Sequence, residues 1–413
     1  MSKKINFLYI CRLFNGFETS IESKMWSPTG VPTIYRVIDE LDSNQSYNLD
    51  LVITSKNFQS WWNYGFVKRL KISGLSTKIT ILSSIGTRFG KLGMIIQELF
   101  HLLFIFFKVF RGDYDVVYID HANIFTAAFI ARMQNTPVVF RIMGVYPAMR
   151  SAVTNNNLMS KFLRWCYSSP FSMVICTQDG SGIEPWLNHS IGKDVVVYKI
   201  INGVEYKAIN KNQLENTCNK YNIPTEKTLV LYLGKLEEIK GIYKFIEGFD
   251  LANKECNKSL HAIIIGYGCE HDRIKKILDQ NPYVTFIPRV SHSDIFIFHE
   301  ISDIYISPNR LANLTNANLE AMVSGSCIVI PESQPDTTVD FITDKLLDSK
   351  AVYHIKYPPT GDGIAKAIIE LFNSSELRSS LSHNVLIQSK EFITSWDKRV
   401  NKELHLIKVL LDS

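Results

Sequence analysis

Two short stretches of this 413-residue chain carry residue types that could do chemistry together. The first runs Leu231-Tyr232-Leu233-Gly234-Lys235-Leu236-Glu237-Glu238-Ile239-Lys240-Gly241. An apolar strand ends there in glycine, and two lysines flank the turn into the next helix. Two cations at the carboxyl end of a strand can neutralise a diphosphate leaving group without a metal, which makes Lys235 and Lys240 candidate catalytic residues. Exposed loop lysines are the competing reading. The second stretch runs from Ile306-Ser307-Pro308-Asn309-Arg310-Leu311-Ala312 through Asn313-Leu314-Thr315-Asn316 to Ala317-Asn318-Leu319-Glu320-Ala321-Met322. It reads as a strand, a polar loop and a short helix with Thr315 as N-cap. Free N–H groups at a helix start favour anions, so Asn313, Leu314, Thr315 and Asn316 form a candidate anion site. Glu320, just over a turn later, can accept hydrogen bonds from sugar hydroxyls; a solvated helix glutamate is the alternative.

Other motifs carry less. The first apolar strand is followed by Arg12-Leu13-Phe14-Asn15-Gly16-Phe17, without the glycine triplet of a dinucleotide-binding turn. Gly266-Tyr267-Gly268 is a lone glycine pair after a strand, compatible with a tight turn. No Walker A, H-E-x-x-H or G-x-S-x-G pattern occurs. Asp113-Tyr114-Asp115 reads as a loop and helix-end feature rather than a metal site. The seven cysteines are odd in number and lack a C-x-x-C pair, as expected of reduced thiols in a cytosolic protein.

The elements that must position these residues follow an α/β rhythm. In the first half, strands are expected at Asn6–Cys11, Leu49–Thr54, Val116–Ile119, Val138–Ile142, Met173–Cys176 and Val195–Ile200, with helices at Pro32–Leu41, Lys91–Phe110 and Thr126–Arg132. The second half restarts the pattern. Its expected strands are Thr228–Leu233, His261–Ile265, Val284–Ile287, Ile304–Ile306 and Ile328–Ile330, with helices at Lys240–Lys254, Glu270–Asp279, Asn316–Val323 and Gly363–Phe372. A break near Ile201–Lys211 divides two doubly wound units, which implies a cleft with ligands at the carboxyl ends of the strands.

Length and composition agree with two globular domains: 46% of residues are hydrophobic and 21% charged, which excludes a disordered or low-complexity scaffold. Met1 to Asn6 leads straight into a strand, too short for a signal segment. Leu92 to Phe110 is interrupted by Gln97, Glu98, His101 and Lys108, so a spanning helix is not expected there. The net charge of +5 is unevenly spread: residues 1–200 carry +8 and the remainder −3. Residues 51–112 hold nine Lys/Arg against Glu98 alone, interleaved with Trp61, Trp62, Tyr64 and Phe66. Aromatic residues beside cations suit an anionic lipid headgroup layer; an ordinary solvated surface is the alternative.

Taken together, these residues resemble the GT-B glycosyltransferases, specifically the retaining family-four group that includes many bacterial polysaccharide and lipid-glycan enzymes. Gly234-Lys235 through Lys240-Gly241 is similar to the family's Gly-Arg-x5-Lys-Gly stretch, with lysine in the arginine place. Asn202-Gly203-Val204-Glu205 resembles its Asn-Gly-Val-Asp crossover, and Gly266 and Gly268 match its Gly-x-Gly turn. Pro308 to Ala321 lies over its Pro-Ser-x-x-Glu-Gly-Phe-Gly-x-Pro-x-x-Glu-Ala motif. Pro288-Arg289-Val290 falls where the family holds the base, and Ser27-Pro28-Thr29-Gly30-Val31-Pro32 resembles its early glycine loop. Phe392 through Trp396 leads into a helix similar to the family's closing helix. Two positions depart: the first glutamate of the family's Glu-x7-Glu pair falls on Ala312, and its donor-sugar histidine falls on Met143.

The resemblance implies a GT-B fold, with an acceptor-binding domain at 1–200, a nucleotide-sugar domain at 201–385 and a returning helix at 386–413. It implies donor contacts at Gly30, Gly234, Gly266, Gly268, Arg289, Asn313, Leu314, Thr315, Asn316 and Glu320, with Glu320 on the ribose. Lys235 and Lys240 would serve the diphosphate, and Arg141 would supply charge lost with the histidine. No metal or cofactor is implied beyond a nucleotide-diphosphate sugar, and no nucleic acid. The expected activity is transfer to a lipid-linked or oligosaccharide acceptor in O-antigen or capsule synthesis, by a cytoplasmic protein peripheral to an anionic membrane. A catalytically silent partner subunit and a sugar-nucleotide epimerase are the alternatives.

Overall fold

Continuous apolar runs can be buried on both faces only when helices cover both sides of a parallel sheet. The chain meets that condition twice. The computed structural model describes residues 4–56, 66–84 and 90–412; Trp61, Trp62, Tyr64 and Arg88 lie outside them. Eight strands form the first sheet: β1 (Ile5–Arg12), β2 (Tyr47–Thr54), β3 (Val67–Leu70), β4 (Ile79–Leu82), β5 (Val116–Asp120), β6 (Val138–Ile142), β7 (Met173–Thr177) and β8 (Val197–Ile200). Their order is β3-β4-β2-β1-β5-β6-β7-β8, parallel except that β3 runs antiparallel to β4. The second sheet contains β9 (Thr228–Leu233), β10 (Leu260–Ile265), β11 (Val284–Ile287), β12 (Ile304–Ile306), β13 (Ile328–Pro331) and β14 (Tyr353–Ile355). It is ordered β11-β10-β9-β12-β13-β14 and wholly parallel.

β9, β11 and β12 have the bounds expected from sequence, and helix Asn316–Val323 does as well. β3, β4 and β14 were not expected. β3 is four residues with exposed Val67 and Arg69, and its basic side chains protect a sheet edge from further pairing. Helix Lys211–Tyr221 was also missed because its sequence is mostly polar, with only Leu214 and Cys218 apolar before Tyr221. It is fixed by a reciprocal cap, Asn210 accepting from Gln213 N and Gln213 accepting from Asn210 N.

Two compact units result. One contains the chain up to Thr177, Trp186–Ile200 and the chain from Asp397; the other contains Gln178–Pro185 and Ile201–Trp396. Two boundaries therefore differ from expectation. Residues 178–185 pack with the second unit, and the chain rejoins the first at Asp397 rather than at 386. The reason is packing: Val385 and Ser389 of helix Ser375–Phe392 are buried in the second unit, where Ser389 Oγ donates to Met322 O at 3.5 Å. In the first unit Val400, Leu404 and Ile407 of the last helix join Ile34, Val37 and Ile38 of helix Pro32–Ser43 in one core.

Candidate active site

The second unit gathers the chemistry at the carboxyl ends of β9, β10 and β12. The turns after β9 and β10 approach so closely that only glycine fits between them. A Cβ on Gly266 would overlap the carbonyl oxygen of Gly234, and one on Gly268 the carbonyl of Leu236. Gly241 adopts φ +80°, and its missing side chain admits the Pro308 carbonyl. The lysine loop therefore lies against the start of the 307–316 loop, and Arg310 N donates to Ile239 O at 3.2 Å. Tyr232 Oη donates to Lys235 O at 3.1 Å and pins the turn from below.

Lys235 and Lys240 sit differently. Lys235 is exposed, 3.8 Å from Glu237. Lys240 is half-buried at the end of the 3-10 turn Glu238–Lys240. Its ammonium is pushed below the ordinary lysine range by desolvation and by Lys235, against the opposing pull of Glu237 and Asp179. A partly desolvated cation with a weak hold on its proton is the one that a bound diphosphate would stabilise most.

Thr315 is the N-cap expected from sequence, its side chain accepting from Asn318 N at 3.4 Å. The asparagines ahead of it hold the loop. Asn309 Nδ2 donates to Ala312 O at 2.6 Å, Asn313 Nδ2 to Pro331 O at 3.0 Å and Asn318 Nδ2 to Asn313 O at 3.0 Å. Asn202 Nδ2 of the crossover donates to Asn316 Oδ1 at 2.7 Å. The expectation of an open anion site over the whole of 313–316 is corrected at its first two positions. Asn313 N donates to Asp340 Oδ1 at 2.7 Å and Leu314 N to Asp179 O at 3.0 Å. Helix geometry leaves the N–H groups of Asn316 and Ala317 without intrahelical acceptors.

Asp179 and Asp340 are the residues sequence reasoning missed. The turn Asp179-Gly180-Ser181-Gly182 follows β7 in the first half, yet it packs beside Asn313 in the second unit. Gly180 has φ +87°, a Cβ there would overlap Asp340 Oδ1, and Gly180 O accepts from Asp340 N at 2.7 Å. Burial raises the Asp340 carboxyl to about 8, opposed by the bonds from Asn313 N and Thr343 Oγ1 and reinforced by Asp179. The paired glycines at a strand end were the available signal.

Glu320 is 5% exposed, and burial raises its carboxyl to about 8. Its Oε1 lies 3.5 Å from His292 Nε2. It is no solvated surface glutamate. Arg289 is exposed after β11, its guanidinium 4.6 Å from the centre of the Tyr267 ring within the Gly-x-Gly turn.

In the first unit, Gly30 takes φ +90° ahead of helix Pro32–Ser43. Met143 is half-buried, and Thr33 Oγ1 lies 3.7 Å from its Sδ. Arg141 is the clear correction: it is fully buried and bonded to Thr177 Oγ1 at 2.7 Å, Ile175 O at 3.1 Å and Ile142 O. Its charge faces Glu403 inside the core, so it supplies no charge to a donor sugar. Asp115 of the Asp113-Tyr114-Asp115 run accepts from Asn6 N at 2.7 Å, an ordinary loop contact.

Two doubly wound sheets, parallel but for β3, and a last helix that rejoins the first unit give the GT-B fold. Residues 215–386 match the family model of the glycosyl transferases group 1. An uncharacterized glycosyltransferase of Methanocaldococcus jannaschii is 25% identical over 194 residues, covering 45% of this chain and 46% of the relative, so the match spans about half the length of that relative. Among solved structures, sucrose-phosphate synthase from Thermosynechococcus elongatus is similar with a TM-score of 0.69 at 12% identity, over 99% of this chain and 100% of its own. Anabaena HepE in complex with UDP is similar with a TM-score of 0.67 at 13% identity, over 98% of this chain and 100% of its own. The same protein is known with UDP-glucose bound.

Proposed function

We propose that the chain is a retaining, metal-independent hexosyltransferase. It would move a sugar from a nucleotide-diphosphate donor to a lipid-linked or oligosaccharide acceptor in bacterial surface polysaccharide synthesis, O-antigen or capsule. The observation that carries this reading is the meeting of two loops in one unit. The half-buried Lys240, the N–H groups of Asn316 and Ala317 at the helix start and the buried Glu320 lie on segments in direct contact. The binding of UDP and UDP-glucose by the similarly folded HepE supports a nucleotide-sugar donor.

In this mechanism the bond from the anomeric carbon to the diphosphate oxygen breaks. The acceptor oxygen bonds to the same face, and its proton passes to the departing diphosphate. Lys235, Lys240 and the helix start stabilise the developing charge, with Glu320 accepting from the ribose hydroxyls. Gly30 would contact the donor, and the rest of the first unit would serve the acceptor at the cytoplasmic face of an anionic membrane. A screen of nucleotide sugars with the purified chain, read by product NMR with and without chelator, tests it. Transfer with retained anomeric configuration and indifference to chelator is expected; inversion or a strict need for a divalent ion overturns the mechanism.

A second reading follows from Met143 and Ala312, which stand where the resemblance places two donor-sugar groups. The chain would then be a silent partner subunit that binds nucleotide without turnover. An epimerase would instead release free sugar and nucleotide without any acceptor.

A further inference from the structure

Helix Gly90–Arg111 is built inside out. Its buried stripe is Gly93, Gln97, His101, Ile105 and Val109, spaced by four residues. The opposite stripe, Leu92, Ile96, Leu99, Leu103, Phe107 and Phe110, is 46–68% exposed. The inward polar groups are deliberately matched. Gln97 Oε1 accepts from Ser84 Oγ at 2.7 Å, and His101 Nε2 lies 3.1 Å from Ser83 O. Burial, with Lys56 nearby, lowers His101 to about 3 and keeps its ring neutral. A helix surrounded only by protein and water would place these stripes the other way round.

The apolar surface continues onto the neighbouring helices. Helix Gly90–Arg111 packs beside Ile124–Met133, which packs beside Leu158–Tyr167. Phe125 stacks on Phe162 and Phe129 meets Trp165 edge-on, while Leu158 is 85% exposed and Met133 64%. Charge narrows the occupant. No carboxylate side chain occurs between Asp120 and Asp179, whereas Arg132, Arg150, Lys161 and Arg164 do. Lys91 and Arg111 sit in the first and last turns of the long helix, and its Glu98 is paired with Lys56 at 2.7 Å. The Arg132 guanidinium lies 3.9 Å from the centre of the Trp165 ring, joining cation and aromatic on one patch.

We infer that this three-helix layer docks one-sidedly on an anionic lipid bilayer, with helix Gly90–Arg111 lying in the plane of the headgroups. A second copy of the chain would bring like charges together across the same face. By length and composition alone the helix could cross a membrane. It is, however, the crossover between β4 and β5, and spanning would strip Gln97 and His101 of Ser84 and Ser83. The inference deepens the lipid-linked acceptor reading and rests on it for its purpose, while the surface itself stands on the residues above.

The test is cosedimentation of the full chain with vesicles of phosphatidylcholine containing phosphatidylglycerol, at low and high salt, alongside UDP titration. Binding that needs phosphatidylglycerol and weakens with salt is expected, as is at least a tenfold loss in the double variant Leu103→Glu/Phe107→Glu with UDP affinity unchanged. No binding by the unaltered chain at low salt overturns the docking surface and leaves the donor chemistry standing. Equal binding by the double variant overturns this face. Resistance to alkaline carbonate extraction overturns one-sided docking, and a dimer that the variant converts to monomer assigns the face to a second copy. Vesicle binding without UDP binding would sink the transferase reading instead.

Discussion

Arg141 on β6 and Glu403 on the last helix meet at 3.7 Å, Nε to Oε1, with both side chains wholly buried. Arg399 pairs with the same carboxylate from one turn back, and Tyr118 Oη donates to it. Burial alone would raise the Glu403 carboxyl; Arg399 and Arg141 hold it below the ordinary carboxylate range. Removing one partner strands charge in the core, so Glu403→Gln is expected to cost about 3–5 kcal/mol in urea unfolding. A depressed pKa gives stability that is present above the unfolded value and lost as pH falls through the folded one. The difference between Glu403→Gln and the parent should therefore shrink in acid. Arg141→Met should likewise destabilise without a selective loss of transfer. A fully stable but inactive Arg141→Met protein would restore Arg141 to the catalytic residues.

Lys240→Ala should lower transfer by about 3 kcal/mol, roughly a hundredfold, because it removes a partly desolvated cation from the developing diphosphate charge. The melting temperature should change little, since burial already opposes the charge. Steady-state kinetics beside a thermal melt decide the matter. Undiminished transfer would mean the lysine loop does not face the diphosphate.

Glu320 must be ionised to accept strongly from two ribose hydroxyls, yet burial raises it to about 8. Nucleoside diphosphate affinity should accordingly rise between pH 7 and 9. Glu320→Gln should remove that slope and weaken binding at the high end by about 1.5–3 kcal/mol. Calorimetric titration across that range checks both; a slope that survives in the glutamine variant assigns the titration to another group.

Asp340 is also raised to about 8, so the folded chain holds a proton there that the unfolded chain releases near the usual carboxylate value of about 4. More protons bound in the folded state mean that stability falls as pH rises through that interval. Asp340→Asn keeps an acceptor for Asn313 N and suits the left-handed backbone at φ 64°. It should flatten the profile and be the more stable protein at pH 9. Urea midpoints at pH 6 and 9 provide the comparison, and parallel profiles would contradict the assignment.

Gly266→Ala forces a Cβ onto the Gly234 carbonyl, backbone against backbone, with no flexible side chain to yield. Nucleotide affinity should drop at least tenfold as the lysine turn is pushed aside. Isothermal titration on the folded variant is the measurement; parent-like affinity would separate the glycine turn from the donor site.

Short-range features were legible in the order of residues. β9, β11 and β12 could be bounded because buried parallel strands are unbroken apolar runs. Thr315 could be placed as a cap because capping depends on a side chain and an N–H three residues apart. The lysine pair and the glycine turns were visible for the same reason. β3 was not, since four residues with two cations resemble a loop until β4 supplies a partner.

Tertiary structure decided what depended on distant partners. Asp179 and Asp340 are 161 positions apart in the chain, and only the fold brings both to the start of the 313–316 loop. Arg141 has the residue type of a catalytic cation, but Glu403 at the other end of the chain takes it into the core. The apolar helix Gly90–Arg111 was expected from its composition, whereas its orientation was not. Ser83 and Ser84 drew Gln97 and His101 inward, because buried polar groups must be bonded, and that turned the leucines and phenylalanines out.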